Sequence, residues 1–325
     1  MRPHVFGSRT GSLAVMVVFA WASLAGQTAP AAKVKPATPT KAHLPIPRTS
    51  DGRPDLSGIW DYATITPLER PAEFAGKTEL TPEEQAQWAQ KDEERQISFQ
   101  LTVGGGVGSY NREWYDGGQP TNRSSLIVDP PDGRLPPAAP RPQGRGRAPD
   151  RPAGPEDLTP GDRCIVMSGP PFRPGAYNNN VGLFLTSDTL VIHNEMIHNS
   201  RIVRLDGRRH GTIPQWSGDS IGRWEGDTLV VDTIKFRSDA VAGSAKHLIE
   251  RFRRVDANTI EYTTTIDDPA AYVRPYTLSF PLRRTTQPIL EYACHEGNYS
   301  MANRLAIARA QDAEEQIASD ATRKK

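Results

Sequence analysis

The chain has 325 residues, a formal net charge of +1 and a mean hydropathy of −0.56. Such a near-neutral chain lacks the concentrated positive charge with which proteins bind nucleic acid or anionic membranes, so we expect neither partner. Its length fits one large domain, with or without decoration.

The first 29 residues have the pattern of an export signal. Arg2 and Arg9 supply positive charge, the run 13–24 is apolar and uncharged, and small residues follow up to Ala29. The apolar run is shorter than the roughly 20 residues that a membrane-spanning helix needs. We therefore predict cleavage of residues 1–29, which changes the formal charge to −1. A mature chain in the periplasm or outside the cell, without a membrane span, is the expected result.

Export changes the interpretation of the two cysteines, Cys164 and Cys294. In an oxidising compartment an even number of cysteines favours a disulfide. On the chain-entropy model, closing so long a loop would stabilise the fold by about 5 kcal/mol. The alternative is a pair of unrelated buried thiols.

Turn and cap residues divide the chain into elements. Residues 30–53 form a flexible Pro/Ala-rich lead-in, and we expect the domain itself to span 54–319, followed by a tail at 320–325. Thr81 can cap a helix within 78–96, with Pro82 at its first position. Residues beyond Asn298 have the apolar spacing of a C-terminal helix.

The segment 129–160 contains ten prolines, and between 136 and 158 few apolar side chains are larger than alanine. Such a segment buries too little apolar surface to offset its ordering entropy. We therefore predict that 136–158 is a disordered surface loop, dispensable for folding. Its arginines could contact an anionic partner, although a solvated linker is the simpler interpretation.

The remainder has the alternation and short turns of antiparallel strands. Strands are predicted at 55–60, 125–128, 181–186, 189–195, 201–205, 228–234, 247–255, 259–266, 276–282 and 289–294. No helical period interrupts 181–294, which disfavours a doubly wound fold. We predict a mainly β protein, an antiparallel meander closed as a calycin-like barrel with a C-terminal helix.

Several blocks together resemble a large family of exported bacterial proteins. The blocks include Gly222-Arg-Trp-Glu-Gly-Asp-Thr-Leu-Val-Val231 and Tyr292-Ala-Cys-His-Glu-Gly-Asn-Tyr299. The resemblance covers nearly all of the mature chain except the Pro-rich loop. It implies export and a β-rich domain, and it carries no activity. Gly58-Ile59-Trp60 is also similar to the Gly-x-Trp of calycin barrels such as lipocalins.

One polar cluster is a candidate catalytic site: His193, Glu195, His198, Arg201 and His295, with His210 nearby in sequence. Imidazole and carboxylate groups serve metal sites and general acid–base catalysis alike. No familiar metal motif is present, and histidines on strands are usually structural. We therefore assign no metal ligand. If an antiparallel barrel brings the two segments together, His198 and His295 share a pocket with Glu195 and with Arg201 as an anion anchor. Otherwise they are separate turn anchors.

A second set of residues is predicted to bind a ligand: Trp216, Trp224, Asn180 and Glu296. The two tryptophans flank a Gly/Asp/Ser segment, which suggests an aromatic platform at a barrel mouth. They could equally plug one end of the core.

Three functions fit these features. The first is an exported barrel that binds a small apolar or aromatic molecule. The second is a periplasmic hydrolase, lyase or isomerase that uses the His/Glu/Arg cluster, with or without a metal. The third is a structural envelope protein. The sequence singles out no cofactor and leaves the oligomeric state open.

Overall fold

A computed structural model describes residues 45–103, 115–140, 151–167, 169–237 and 246–323. All of them belong to one compact unit, His43–Lys325. The protein is mainly β, with a closed nine-stranded barrel and a C-terminal helix, as the sequence predicts. The expected export signal and most of the lead-in lie outside the described residues.

Ten strands and two α-helices are present in the part of the chain that the structure describes. The strands are β1 (Gly58–Asp61), β2 (Ile127–Asp129), β3 (Asn180–Leu185), β4 (Thr189–Asn194), β5 (Ser200–Arg204), β6 (Asp219–Glu225), β7 (Thr228–Ile234), β8 (His247–Asp256), β9 (Thr259–Asp267) and β10 (Tyr276–Arg284). The helices are α1 (Pro82–Val103) and α2 (Tyr299–Arg323).

The barrel closes because β10 pairs with β1, which completes the order β1-β3-β4-β5-β6-β7-β8-β9-β10. Short β2 pairs with the other end of β10. Among the strands that the structure describes, every pairing is antiparallel except that of β5 with β6, which run parallel with Val203 opposite Ser220. The chain that connects them must therefore return from the end of β5 to the barrel end at which β5 begins. The predicted meander is interrupted between these two strands.

Strand alternation fills the barrel with side chains. In β8, Leu248, Glu250, Phe252 and Arg254 face inward and are buried, whereas the residues between them face outward. Most inward positions of the other strands are aliphatic or aromatic. The core therefore lies inside the barrel.

One end of the barrel is sealed by Trp60 of β1, which is fully buried. Its indole Nε1 donates a hydrogen bond to the carbonyl of Leu56, at 3.0 Å. The guanidinium carbon of Arg254, near the end of β8, lies 5.2 Å from the Trp60 ring. Arg254 also donates to the carbonyls of Asp55 and Ala257. The start of β8 therefore lies at the opposite end, where the candidate site is found.

Helix α1 begins at a capping box. Thr81 Oγ1 accepts a hydrogen bond from the Glu84 amide at 3.3 Å, and the Glu84 carboxylate accepts one from the Thr81 amide at 3.0 Å, which completes a capping box. Helix α2 continues to Arg323, beyond the boundary expected at residue 320. Among the described residues, no helix is long and apolar enough to cross a membrane.

Two strand predictions are wrong. Residues 289–294 are not a strand; they follow the barrel wall as an irregular segment. Conversely, no strand was predicted over β6, which begins in the Gly/Asp/Ser segment between the two tryptophans. It is a strand because β7 pairs with it along its whole length, from Asp219 opposite Ile234 to Glu225 opposite Thr228. Pairing partners outweighed local propensity.

The flanks of the Pro-rich segment are packed, unlike the disordered loop that its composition predicts. Ala138 forms a β-bridge with Tyr272. On the other side, Leu158 is only 3 % exposed, and Arg151 pairs with Glu315 of α2 at 2.5 Å. Residues 141–150 lie outside the described part of the chain.

Candidate functional site

A cavity of about 470 Å³ lies at the barrel end opposite Trp60. Three barrel strands lead into it. Lys246 immediately precedes β8, Asp268 immediately follows β9, and Tyr276 begins β10. Each continues the inward-facing alternation of its strand. The cavity is therefore the mouth of the barrel, and its volume is in the range of small-molecule sites.

Lys246 is the most perturbed charged group of the mouth. Its Nζ donates to the carbonyl of Pro170 at 2.9 Å and lies 4.4 Å from the centroid of the Phe236 ring. No carboxylate lies within 4 Å of this ammonium among the described residues. Burial, followed by the positive charge of Arg173, lowers the pKa of Lys246 to about 8.

Acid, phenol and guanidinium groups share the cavity with this lysine. Asp268 is 5 % exposed, and its Oδ1 has no hydrogen-bond partner among the described residues. The Tyr276 hydroxyl accepts a hydrogen bond from Arg173, and burial raises the pKa of this phenol. The ring of Tyr272 packs edge-on against Tyr276, with centroids 5.1 Å apart. Aromatic surface and several polar groups therefore converge on one space.

One wall of the cavity is formed by residues within 159–167 and 169–171, and the disulfide Cys164–Cys294 ties this wall to the residues before α2. The predicted pairing is confirmed, with the two Cα atoms 5.8 Å apart. Next to it, Asn298 donates to the Asp162 carbonyl at 2.7 Å. Because the bond crosses 130 residues, it positions a wall that the sheet itself does not hold.

Trp216 lines the mouth, where ligand binding was predicted for it. The guanidinium carbons of Arg237 and Arg163 lie 4.4 and 5.7 Å from its ring. Trp224, by contrast, is near the sealed end, because β6 runs away from the mouth. It packs against the core with Arg53 5.5 Å from its ring, and it does not line the cavity. The two tryptophans do not form a single platform.

A layer of buried polar groups lies inside the barrel. Arg201 and Glu250 are paired through both terminal guanidinium nitrogens, Nη1 and Nη2, and their side chains are 3 % and 0 % exposed. Tyr262 donates its hydroxyl proton to Glu250 at 2.8 Å, and Arg201 also donates to Thr233 at 3.2 Å. The sequence suggested that Arg201 anchors an anionic ligand. In the structure its charge is balanced by Glu250 instead, so its role there is structural.

The other residues of the predicted catalytic cluster lie around the end of β4. Glu195 accepts hydrogen bonds from the Asn180 side chain at 3.0 Å and from the Leu290 amide at 3.3 Å. His198 Nε2 accepts one from the Tyr292 amide at 3.2 Å. Both residues therefore hold the irregular segment 289–294 against the barrel, and neither lines the cavity.

His193 bonds to the Ser200 hydroxyl through Nδ1 at 2.8 Å, and burial, followed by the nearby charge of His198, lowers its pKa. His295 and Glu296 are exposed in the turn after Cys294, outside the cavity lining. The structure thus brings Glu195, His198 and Asn180 together with residues 290–292. It places Arg201 inside the barrel instead.

A chain of alternating acids and imidazoles runs along the outside of β6–β8. Asp219 contacts His210 Nδ1 at 2.9 Å, and Asp232 Oδ1 lies 3.3 Å from His210 Nε2 and 3.0 Å from His247 Nε2. Although burial acts to raise it, bonds from the Gly211 amide and His210 lower the pKa of Asp219. Within the described ranges no three His, Cys, Asp or Glu side chains are arranged to hold a metal ion.

The mouth residues Lys246, Asp268, Arg173, Tyr272 and Tyr276 were not predicted from the sequence. A usable signal exists for two of them. Lys246 has the inward parity of Leu248, and Asp268 has that of Ile266, each one step beyond an apolar strand. A charged residue at such a position lies at the rim of a barrel.

No protein-family model matches the chain, and neither a curated protein nor a solved structure is similar to it. The geometry of the mouth is therefore the basis for inferring a function.

Proposed function

We propose that the protein is a barrel that binds a small, apolar or aromatic molecule in its mouth. The single observation that carries this proposal is the cavity of about 470 Å³ walled by Trp216, Tyr272 and Tyr276. Aromatic walls favour a planar ring by offset or edge-on stacking, worth about 0.5–1.5 kcal/mol for each good pair beyond burial.

The polar groups of the mouth define the rest of the ligand. Lys246 and Arg173 offer donors, and the Asp268 carboxylate, which also lines the cavity, offers an acceptor. An aromatic ring with an oxygen substituent fits this space, because the ring contacts the aromatic walls and the oxygen accepts hydrogen bonds from Lys246 and Arg173. Few polar groups in a mostly aromatic cleft are typical of small-molecule sites. An envelope-structural role would leave this cavity without a purpose.

Binding is tested with 2-naphthoate and 2-naphthol as probes, by calorimetry on the mature protein. We expect binding that weakens about tenfold or more in Trp216→Ala, since a buried aromatic anchor is worth about 2 kcal/mol. Trp224→Ala is the matched control, because Trp224 lies outside the cavity. Equal effects of the two substitutions, or no binding of either probe, would contradict the proposal.

A further inference from the structure

We propose that the mouth captures aldehydes or ketones covalently and reversibly, with Lys246 Nζ forming an imine with the ligand carbonyl carbon. This inference rests on the proposed function, because the ligand must enter the same cavity. It specifies the chemical class of the ligand, a carbonyl compound with an aromatic or apolar body.

The surroundings of Lys246 favour a neutral amine. Burial and the positive charge of Arg173 disfavour the ammonium, and no carboxylate lies within 4 Å of Nζ among the residues described. The neighbours that do stabilise the ammonium, the Pro170 carbonyl and the face of the Phe236 ring, carry no net charge. A lysine that serves only as an ion-pair partner would have a carboxylate there, as exposed Lys91 has with Glu73 at 2.6 Å. Lysine amines become nucleophiles when they are desolvated or lie beside another cation, and Lys246 meets both conditions.

Asp268 supplies the second group that imine formation needs. The neutral amine attacks the carbonyl carbon and forms a C–N bond, while the oxygen takes up a proton to give a carbinolamine. The hydroxyl then leaves as water and the nitrogen loses a proton, so that amine plus carbonyl gives imine plus water. Asp268 lines the same cavity, and its carboxylate can accept and return this proton.

Four charged groups act on Lys246: Arg173, Asp268 at the end of β9, and Arg201 with Glu250 from the layer below. The titratable residues Asp162, Tyr272 and Tyr276 also line the cavity. Arg173 and Arg201 lower the lysine pKa, and Asp268 and Glu250 raise it. With a pKa of about 8, the neutral fraction at pH 7 is roughly 300-fold larger than for a lysine with the ordinary pKa of 10.5.

The test uses benzaldehyde with sodium cyanoborohydride, which reduces an imine to a stable benzylamine. Peptide mapping of the wild-type protein, at low benzaldehyde and neutral pH, locates the label without any variant. We expect Lys246 to be labelled roughly 100-fold faster than exposed Lys77, with a rate that rises towards pH 8 and then levels off. Lys246→Arg should lose this fast label, whereas Lys77→Arg should keep it. Asp268→Asn should slow labelling at Lys246 above pH 8, where the amine is neutral in both proteins, if the carboxylate transfers the proton.

The two proposals fail in different ways. If 2-naphthoate binds in a Trp216-dependent manner but the label spreads evenly over the lysines, the imine is refuted and the binding site is upheld. If Lys246 is labelled selectively and 2-naphthoate protects it, both are supported. If neither binding nor selective labelling occurs, both are overturned. Selective labelling with binding of 2-naphthol but not of 2-naphthoate would support both proposals and exclude anionic ligands from the mouth.

Discussion

Replacing Glu250 with glutamine should be one of the most damaging conservative changes in the barrel. The substitution keeps the shape of the side chain but removes the charge that balances Arg201, and neither side chain is more than 3 % exposed. A buried guanidinium without a counter-charge costs about 3–5 kcal/mol. Tyr262 keeps an acceptor in the amide oxygen, so the loss arises chiefly from the unbalanced charge.

The double variant Arg201→Met/Glu250→Leu should be far milder than the sum of its parts. Apolar replacement of both partners of a buried pair is often neutral or stabilising. Here the Tyr262 hydroxyl loses its acceptor, and one buried unsatisfied donor costs about 1–3 kcal/mol. Ser220 and Thr233 still bond to each other at 2.9 Å. We expect a double variant within about 2 kcal/mol of the wild type, as these contributions nearly offset each other.

Urea unfolding of the oxidised protein, followed by circular dichroism, measures these differences. Glu225→Gln is the control, because Glu225 pairs with Arg223 and Arg251 on the exposed face, where solvent screens the charges, and the substitution should leave stability nearly unchanged. A Glu250→Gln cost no larger than that of the control would refute the reasoning. So would a double variant as unstable as the two single variants added together.

Three further predictions follow from the same contacts. Replacing Cys164 and Cys294 with serine should lower the free energy of unfolding by about 5 kcal/mol for a loop of 130 residues, measured in urea; a change below about 1 kcal/mol would contradict it. Exchanging 136–158 for a Gly/Ser linker should also lower the melting temperature, because burial of Leu158 alone is worth about 2–5 kcal/mol. An unchanged melting temperature would instead support the prediction from composition that this loop is dispensable. The folded pKa of Lys246 (about 8) lies below its ordinary 10.5, so burial of the ammonium costs up to about 3 kcal/mol below pH 8 and the cost disappears towards pH 10.5. Lys246→Met should therefore have a larger free energy of unfolding than the wild type in urea at pH 7, and the difference should shrink above pH 8. A difference that does not change with pH would contradict this.

Strand prediction succeeded where alternation and turn chemistry agree, and it failed where pairing decided. The hairpin of β8 and β9 was found because Asp256-Ala257-Asn258 separates two long alternating runs. Residues 289–294 have the same apolar character but no strand beside them to pair with. They are held by Glu195 and His198 side chains instead. Backbone pairing is a property of neighbours, which a single segment does not reveal.

The candidate site was predicted less well than the fold. Trp216 was expected at a barrel mouth and lines it, and the predicted Cys164–Cys294 bond lies beside the cavity wall, a position that the sequence did not indicate. A catalytic role was predicted for the histidine and glutamate cluster because its residue types are chemically versatile. In the structure its members hold chain segments together, and whether any acts on a ligand stays untested.

The sequence by itself determined the mainly β fold with a C-terminal helix, the cap of α1 and the disulfide, because each depends on local pattern or on the counting of two cysteines. The resemblance to exported proteins and the calycin-like character stay predictions. Tertiary structure alone decided that the barrel closes through β10 and β1, that Arg201 meets Glu250 inside it, and that Lys246 and Asp268 share one mouth. The physical reason is distance along the chain. Closure and register bring together residues from strands far apart in sequence, and only the folded sheet fixes which of them meet.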